Sequence, residues 1–133
     1  MGSAKGEAME RSYKVNSQLL PPGFPRQFDA HIYFDEVHRD KASRLRDEAI
    51  RMFEGKKVFV GEMIPEAIGP HPVPMFEINF PKEHFTEVVL WLMHERGDLS
   101  VLVHELTGDD LYDHTQAALW LGPAVELKYD RFK

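Results

Sequence analysis

Residues 28–34 read Phe-Asp-Ala-His-Ile-Tyr-Phe, and their alternation constrains the fold more than any other part of the chain. Phe28, Ala30, Ile32 and Phe34 fall on one side; Asp29, His31 and Tyr33 fall on the other. A period of two is that of a β-strand with one face against a core. Such a sheet needs a second layer, and the following residues supply one. Ala42, Leu45, Ala49, Ile50 and Phe53 recur at helical spacing, with Asp40 placed as an N-cap and Gly55 as a stop. A second strand is expected over residues 57–64 around Val58-Phe59-Val60, and a third over residues 75–80. In the third, Phe76, Ile78 and Phe80 share one side, while Met75, Glu77 and Asn79 share the other. Pro81 fits the first position of a second helix that carries Phe85, Val88, Val89 and Leu92 and stops at Gly97. A fourth strand covers residues 100–104. Asp109 then caps a last helix reaching about Trp120, Gly122-Pro123 ends it, and residues 125–127 form a short fifth strand.

The order β-α-β-β-α-β predicts an α+β, ferredoxin-like fold: an antiparallel sheet with both main helices on one face, and a C-terminal helical extension. Right-handed crossovers put strands one and three at the centre, expected to run parallel to each other, with strand four antiparallel beside strand one. With 133 residues and 43% hydrophobic content, residues 26–133 make one domain, preceded by a flexible lead-in over residues 1–25.

Composition narrows the function. Sixteen Lys and Arg against 22 Asp and Glu give a net charge of -6, with no basic stripe to follow a phosphate backbone or an anionic membrane. The longest apolar run, residues 88–93, is far too short for a membrane span, and no apolar signal core stands near the N-terminus. Without cysteine there is no disulfide framework and no thiolate chemistry. These features fit a cytoplasmic protein with a small-molecule partner and no nucleic-acid or membrane partner. The six apolar residues 88–93 read as core, with Leu90 and Trp91 packed on the C-terminal segment, or alternatively as a subunit contact; the uncovered sheet face invites a partner, and a homodimer is expected.

Imidazoles carry the chemistry. The chain has seven histidines. His31 lies opposite the apolar side of its strand, His104 shares a side with Leu102 at the end of strand four, and His71 stands between Pro70 and Pro72 just before strand three. The topology is expected to bring these three to one end of the sheet on the face away from the helices. Imidazole with carboxylate suits a non-haem iron site, where three protein ligands leave the rest of the ion open. His114 and Tyr33 are candidates for proton transfer, and Glu77 points to the same face. His38, His84 and His94 read as surface residues near helix ends, and Asp109-Asp110 as a helix cap.

Three stretches carry a resemblance: Phe28-Asp29-Ala30-His31-Ile32-Tyr33-Phe34; Ile68-Gly69-Pro70-His71-Pro72 with Met75-Phe76-Glu77; and Leu102-Val103-His104-Glu105-Leu106-Thr107-Gly108-Asp109-Asp110 running through Asp113-His114-Thr115 to Ala118-Leu119-Trp120-Leu121-Gly122. In these the chain resembles the small bacterial and fungal DOPA 4,5-dioxygenases, which cleave catechol rings in the extradiol manner. The resemblance implies a ferredoxin-like fold, non-haem iron(II) as cofactor, O2 as co-substrate and a DOPA-like catechol as substrate. It draws attention to His31, His71, His104 and His114. The leading expectation is an iron(II) extradiol dioxygenase in which His31, His71 and His104 hold the metal and His114 acts as acid and base, with Tyr33 and Glu77 nearby. Two other readings use the same imidazoles: a non-catalytic small-ligand or metal-binding module, and a zinc hydrolase or isomerase.

Overall fold

The computed structural model describes residues 26–132, so the lead-in expected over residues 1–25 lies outside the described residues. Its elements are β1 (Gln27–Tyr33), α1 (Arg39–Met52), β2 (Phe59–Val60), β3 (Met75–Pro81), α2 (Phe85–Glu95), β4 (Val101–Glu105), α3 (Asp110–His114) and β5 (Ala118–Leu121). Short 3-10 turns occupy Lys82–His84 and Tyr129–Phe132. The sheet order is β2-β3-β1-β4-β5, and every adjacent pair is antiparallel. This is the α+β, ferredoxin-like architecture expected from the element order.

One part of the expected topology is corrected. β3 runs antiparallel to β1, with Gln27 opposite Pro81 and Tyr33 opposite Met75. The reason lies in the crossovers. A helix returns the chain to the same end of the sheet, so β1 parallels β2 and β3 parallels β4. Because β2 and β3 are antiparallel neighbours, β3 must oppose β1.

The alternation works as expected. Ala30, Ile32, Phe76, Ile78, Phe80, Val101 and Val103 pack with Ala42, Leu45 and Ala49 of α1 and Val88, Val89 and Leu92 of α2 in one buried core. The other sheet face carries a smaller cluster of Tyr33, Met75, Leu102 and Leu127, flanked by Ile64, Val73, Trp120 and Val125. Gly55 (φ +83°) and Gly97 (φ +63°) follow the two long helices, where left-handed backbone favours glycine.

Several boundaries move. α1 starts at Arg39, so Asp40 lies in its first turn, where a carboxylate complements the helix dipole. Pro81 closes β3, and three 3-10 residues separate it from α2. β2 is only Phe59–Val60, because the chain bends into the proline-rich loop; Ile64 rejoins β3 through a single bridge to Met75. The expected long tail helix is one turn, α3; Ala118–Leu121 instead forms β5 on β4, with Leu102 opposite Trp120. No strand forms at residues 125–127. Trp91 packs edge-on against Phe53, 5.5 Å between ring centres, rather than on the C-terminal segment, and Leu90 and Met93 are exposed. Among the described residues, no helix is long and apolar enough to cross a membrane.

The second face is covered by two segments. The turn Ile68-Gly69-Pro70-His71 closes on itself through paired backbone bonds, His71 N to Ile68 O at 2.9 Å and Ile68 N to His71 O at 3.2 Å. The segment after β5 crosses it, with Leu127 buried and Lys128 N donating to Pro70 O at 2.8 Å. A large-to-small change in the main core should be felt strongly. Phe76→Ala, on a fully buried side chain, is expected to cost about 3–5 kcal/mol in urea unfolding. Leu90→Ala on the outer side of α2 should stay within about 0.5 kcal/mol.

Candidate metal centre

Four imidazoles meet on the second sheet face: His31 from the middle of β1, His104 from β4, His71 from the proline-rich turn and His114 from the end of α3. All four are buried. Ring centres stand 4.0 Å apart for His104 and His114, 4.3 Å for His31 and His71, and 5.0 Å for His31 and His104. His114 lies 5.9 Å from both His31 and His71. The cluster sits over the centre of the face rather than at the expected rim. His71 arrives because its loop folds back over Tyr33, and not because β3 begins beside it. α3, though short, brings His114 over the same face.

Hydrogen bonds fix the ring nitrogens. His104 Nδ1 is 3.0 Å from Glu105 O and His114 Nδ1 is 2.8 Å from Asp110 O. A carbonyl only accepts, so both Nδ1 atoms carry the hydrogen and both Nε2 atoms keep a lone pair. His31 Nε2 lies 3.0 Å from His104 Nε2 and therefore donates to it. That leaves His31 Nδ1 as a buried lone pair with no hydrogen-bond partner among the described residues. His71 Nδ1 is 2.7 Å from Tyr33 Oη, so its Nε2 is the nitrogen available to a ligand.

The electrostatics favour uncharged rings. Burial, then His71, His104 and His114, hold His31 well below the usual imidazole range. Burial, then the neighbouring imidazoles, lowers His71 and His114 to about 4 each. Burial also lowers His104, against the pull of its bond to Glu105. Neutral imidazole is the form that ligates a metal.

Among the described residues, two groups of three bring ligand atoms within 4.8 Å of one another: His31, His71 and His114; and Asp29, His31 and His104. The expected trio of His31, His71 and His104 is thus divided between them, with His31 common to both. Asp29 was not singled out from the sequence, although it shares His31's side of β1 and the i, i+2 spacing could have marked it. Its Oδ1 accepts from Asn79 Nδ2 at 2.9 Å, and its Oδ2 lies 4.0 Å from His31 Nε2. Because His31 is neutral, this contact is not an ion pair. Burial raises the Asp29 carboxyl, opposed by the Asn79 bond.

Of the other expected site residues, Tyr33 touches the cluster through His71 and stacks on Trp120 at 5.9 Å, and burial pushes its hydroxyl above its usual range. Glu77 is half-buried opposite His31 in the β1–β3 register and packs beside Gly61; burial, then Asp29, raises its carboxyl. His38, His84 and His94 stay outside the cluster. His38 bridges Asp35 and Asp98 at 2.7 and 3.2 Å, His84 lies 3.0 Å from Glu87, and His94 is exposed in the last turn of α2. Asp109 caps α3 as expected, its Oδ1 accepting from Tyr112 N at 3.1 Å.

The donors suit a divalent cation. A buried, unpartnered imidazole nitrogen is costly unless something binds it. Three further imidazoles, His71, His104 and His114, have their Nδ1 fixed by an oxygen, the usual arrangement behind a metal-bound histidine. The centre can therefore hold a metal ion through His31 and its neighbours.

Comparison with known proteins came to the same region. The model of the Dopa 4,5-dioxygenase family matches residues 28–131, which include all the imidazoles of the cluster. A 21.2 kDa uncharacterized protein of Botryotinia fuckeliana is 38% identical over 127 residues, covering 88% of this chain and 69% of that protein. A DOPA 4,5-dioxygenase of Amanita muscaria is 37% identical over 110 residues, covering 77% of this chain. The match spans 47% of that enzyme's length. A crystal structure from Nostoc punctiforme, provisionally described as a dioxygenase, superposes with a TM-score of 0.74 at 40% identity, covering 80% of this chain and 90% of that one.

The depressed imidazoles make metal-free stability depend on pH. An unfolded histidine takes up its proton near pH 6.5, whereas His71 and His114 resist until about pH 4. Stability is then present above about pH 6.5 and is lost as the pH falls toward 4. Each such imidazole contributes a slope of up to about 1.4 kcal/mol per pH unit across that window. Urea unfolding of chelator-treated His71→Gln should show a shallower acid loss than the wild type; equal slopes would mean that His71 is not held neutral.

Proposed function

The chain belongs to the DOPA 4,5-dioxygenase family, and from that premise we propose that it is an extradiol dioxygenase that opens a catechol ring with iron(II) and O2. The observation that carries this reading is the ring of buried, neutral imidazoles with lone pairs turned inward. We assign His31, His71 and His114 as the residues that hold the ion, since their ligation leaves the His31–His104, His71–Tyr33, His104–Glu105 and His114–Asp110 hydrogen bonds in place. His31 would use its orphaned Nδ1, keeping its Nε2 hydrogen on His104. Compared with the expectation from sequence, His104 and His114 exchange roles.

When bound, iron(II) supplies the redox chemistry that lets a singlet diphenol react with O2. The rest falls to side chains. Tyr33 Oη accepts the Nδ1 hydrogen of His71 and so presents Nε2 inward. His104, with Asp29 beside it, orients His31 through the bond between their Nε2 atoms; that bond must open before His104 Nε2 can take the proton that a catechol hydroxyl releases. Tyr33, Val73, Trp120 and Leu127 offer an apolar wall where an aromatic ring can lie with water excluded. Ring opening breaks a carbon–carbon bond beside the two hydroxyl-bearing carbons and leaves both oxygen atoms of O2 in the product. The proposed substrate is a small catechol such as DOPA; the family and the Amanita relative support that class.

Protein purified without chelator and loaded anaerobically should bind one iron(II) per chain by elemental analysis and consume O2 with DOPA or another simple catechol. His31→Ala should lose both the iron and the O2 uptake. His104→Ala should keep most of the iron while turnover falls by about 10²–10⁴-fold, the usual contribution of a general acid–base group. Iron-loaded wild type that consumes no O2 across a panel of catechols would contradict the enzyme reading, and stoichiometric zinc in place of iron would favour hydrolytic chemistry.

A further inference from the structure

Between His104 and His114 lies a pair of buried polar residues that ligates nothing and faces no solvent. Asp113 is fully buried, and Thr107 is 4% exposed. Asp113 Oδ1 accepts from Thr107 Oγ1 at 2.6 Å, and Oδ2 accepts from Thr107 N at 2.9 Å. Thr107 Oγ1 in turn accepts from Asp109 N at 3.2 Å. Asp113 N donates to Asp109 O at 2.9 Å, closing the single turn of α3. The network is local in sequence, yet it joins the end of β4 to the short helix that carries His114.

A five-residue helix is too short to hold itself together in water, so its geometry must come from tertiary contacts. Removing a carboxylate from solvent is expensive, and here both of its oxygens accept a hydrogen bond from the same threonine. Thr107 is three residues beyond His104, and Asp113 immediately precedes His114. The clamp therefore links the strand end that carries His104 to the turn that carries His114, whose ring centres stand 4.0 Å apart. It also keeps Asp110 O where His114 Nδ1 can donate to it, at 2.8 Å. We propose that Asp113 and Thr107 are positioning residues for the metal centre: their buried hydrogen-bond pair sets the spacing of His104 and His114 and the direction of the His114 lone pair. The inference rests on the metal reading given above, but it concerns the geometry of the imidazoles themselves.

Cobalt(II) titration, followed by its visible absorption and by far-UV circular dichroism, tests it. Asp113→Asn, which replaces one acceptor oxygen by an amide, and Thr107→Val, which removes only the hydroxyl, should each weaken cobalt binding by about 10–100-fold and alter the absorption bands. The circular dichroism should be unchanged. Thr107→Ser, which restores the hydroxyl, should bind as the wild type does. Thr107→Val leaves the backbone bond to Asp113, so it keeps the test open if Asp113→Asn fails to fold. Variants that bind cobalt within twofold of the wild type, with the same spectrum, would overturn the proposal. Should the wild type bind no cobalt, the metal reading fails, and side-chain ¹⁵N–¹H spectra of the metal-free proteins decide the positioning claim. Displaced His104 and His114 signals in Thr107→Val, with His38, His84 and His94 unmoved, would support it; an unchanged set would refute it.

Discussion

The register of β1 against its two neighbours is the constraint on which the rest depends. β1 pairs with β3 on one side and β4 on the other, and the pleat sends its side chains alternately to opposite faces. Ala30 and Ile32 fill the core beneath the helices; Asp29, His31 and Tyr33 are committed to the other face. A slip of one residue would bury the polar set among Phe76, Ile78 and Val103 and expose the apolar set. The same pairing puts Asp29 between Asn79 and His104, and His31 between Glu77 and Leu102. The site is thus built into the sheet, and only His71 and His114 come from connecting segments.

Those connecting segments explain how so many polar rings stay dry. The turn at Ile68–His71 and the stretch around Leu127 close over the face and are tied together by the bond from Lys128 N to Pro70 O. Proline on both sides of His71 limits the freedom lost when its ring is fixed. Burial then keeps all four imidazoles neutral, which costs the metal-free protein stability in acid and prepares the rings to ligate. A cation bound there would recover part of that cost. On the proposed reading the centre is pre-organised: the fold already holds residues that could ligate a metal close together.

Much of this was legible in the sequence, for identifiable reasons. Strict alternation at residues 28–34 and 75–80 revealed both strands and the face of each side chain. Helical spacing revealed α1 and α2, and their packing on one face followed. Strand direction was misjudged because alternation carries no polarity; it follows only from tracing each crossover. β5 was missed because Ala118-Leu119-Trp120-Leu121 has no polar alternation, and its strand conformation comes from pairing with β4. His31, His71, His104 and His114 stood out as residue types, but their division into ligand sets depends on which ring nitrogen each hydrogen bond occupies. Asp29 and Asp113 went unmarked for a related reason: an acidic residue reads as solvated until its partners, Asn79 and Thr107, are seen beside it.

The central claim is that one cation binds where His31, His71 and His114 meet. Anomalous diffraction at the iron absorption edge, from crystals of anaerobically iron-loaded protein, tests it most directly. The account predicts a single strong peak per chain within bonding distance of His31 Nδ1 and of the Nε2 atoms of His71 and His114. A peak bound instead by Asp29, His31 Nε2 and His104, or none on this face of the sheet, would contradict it.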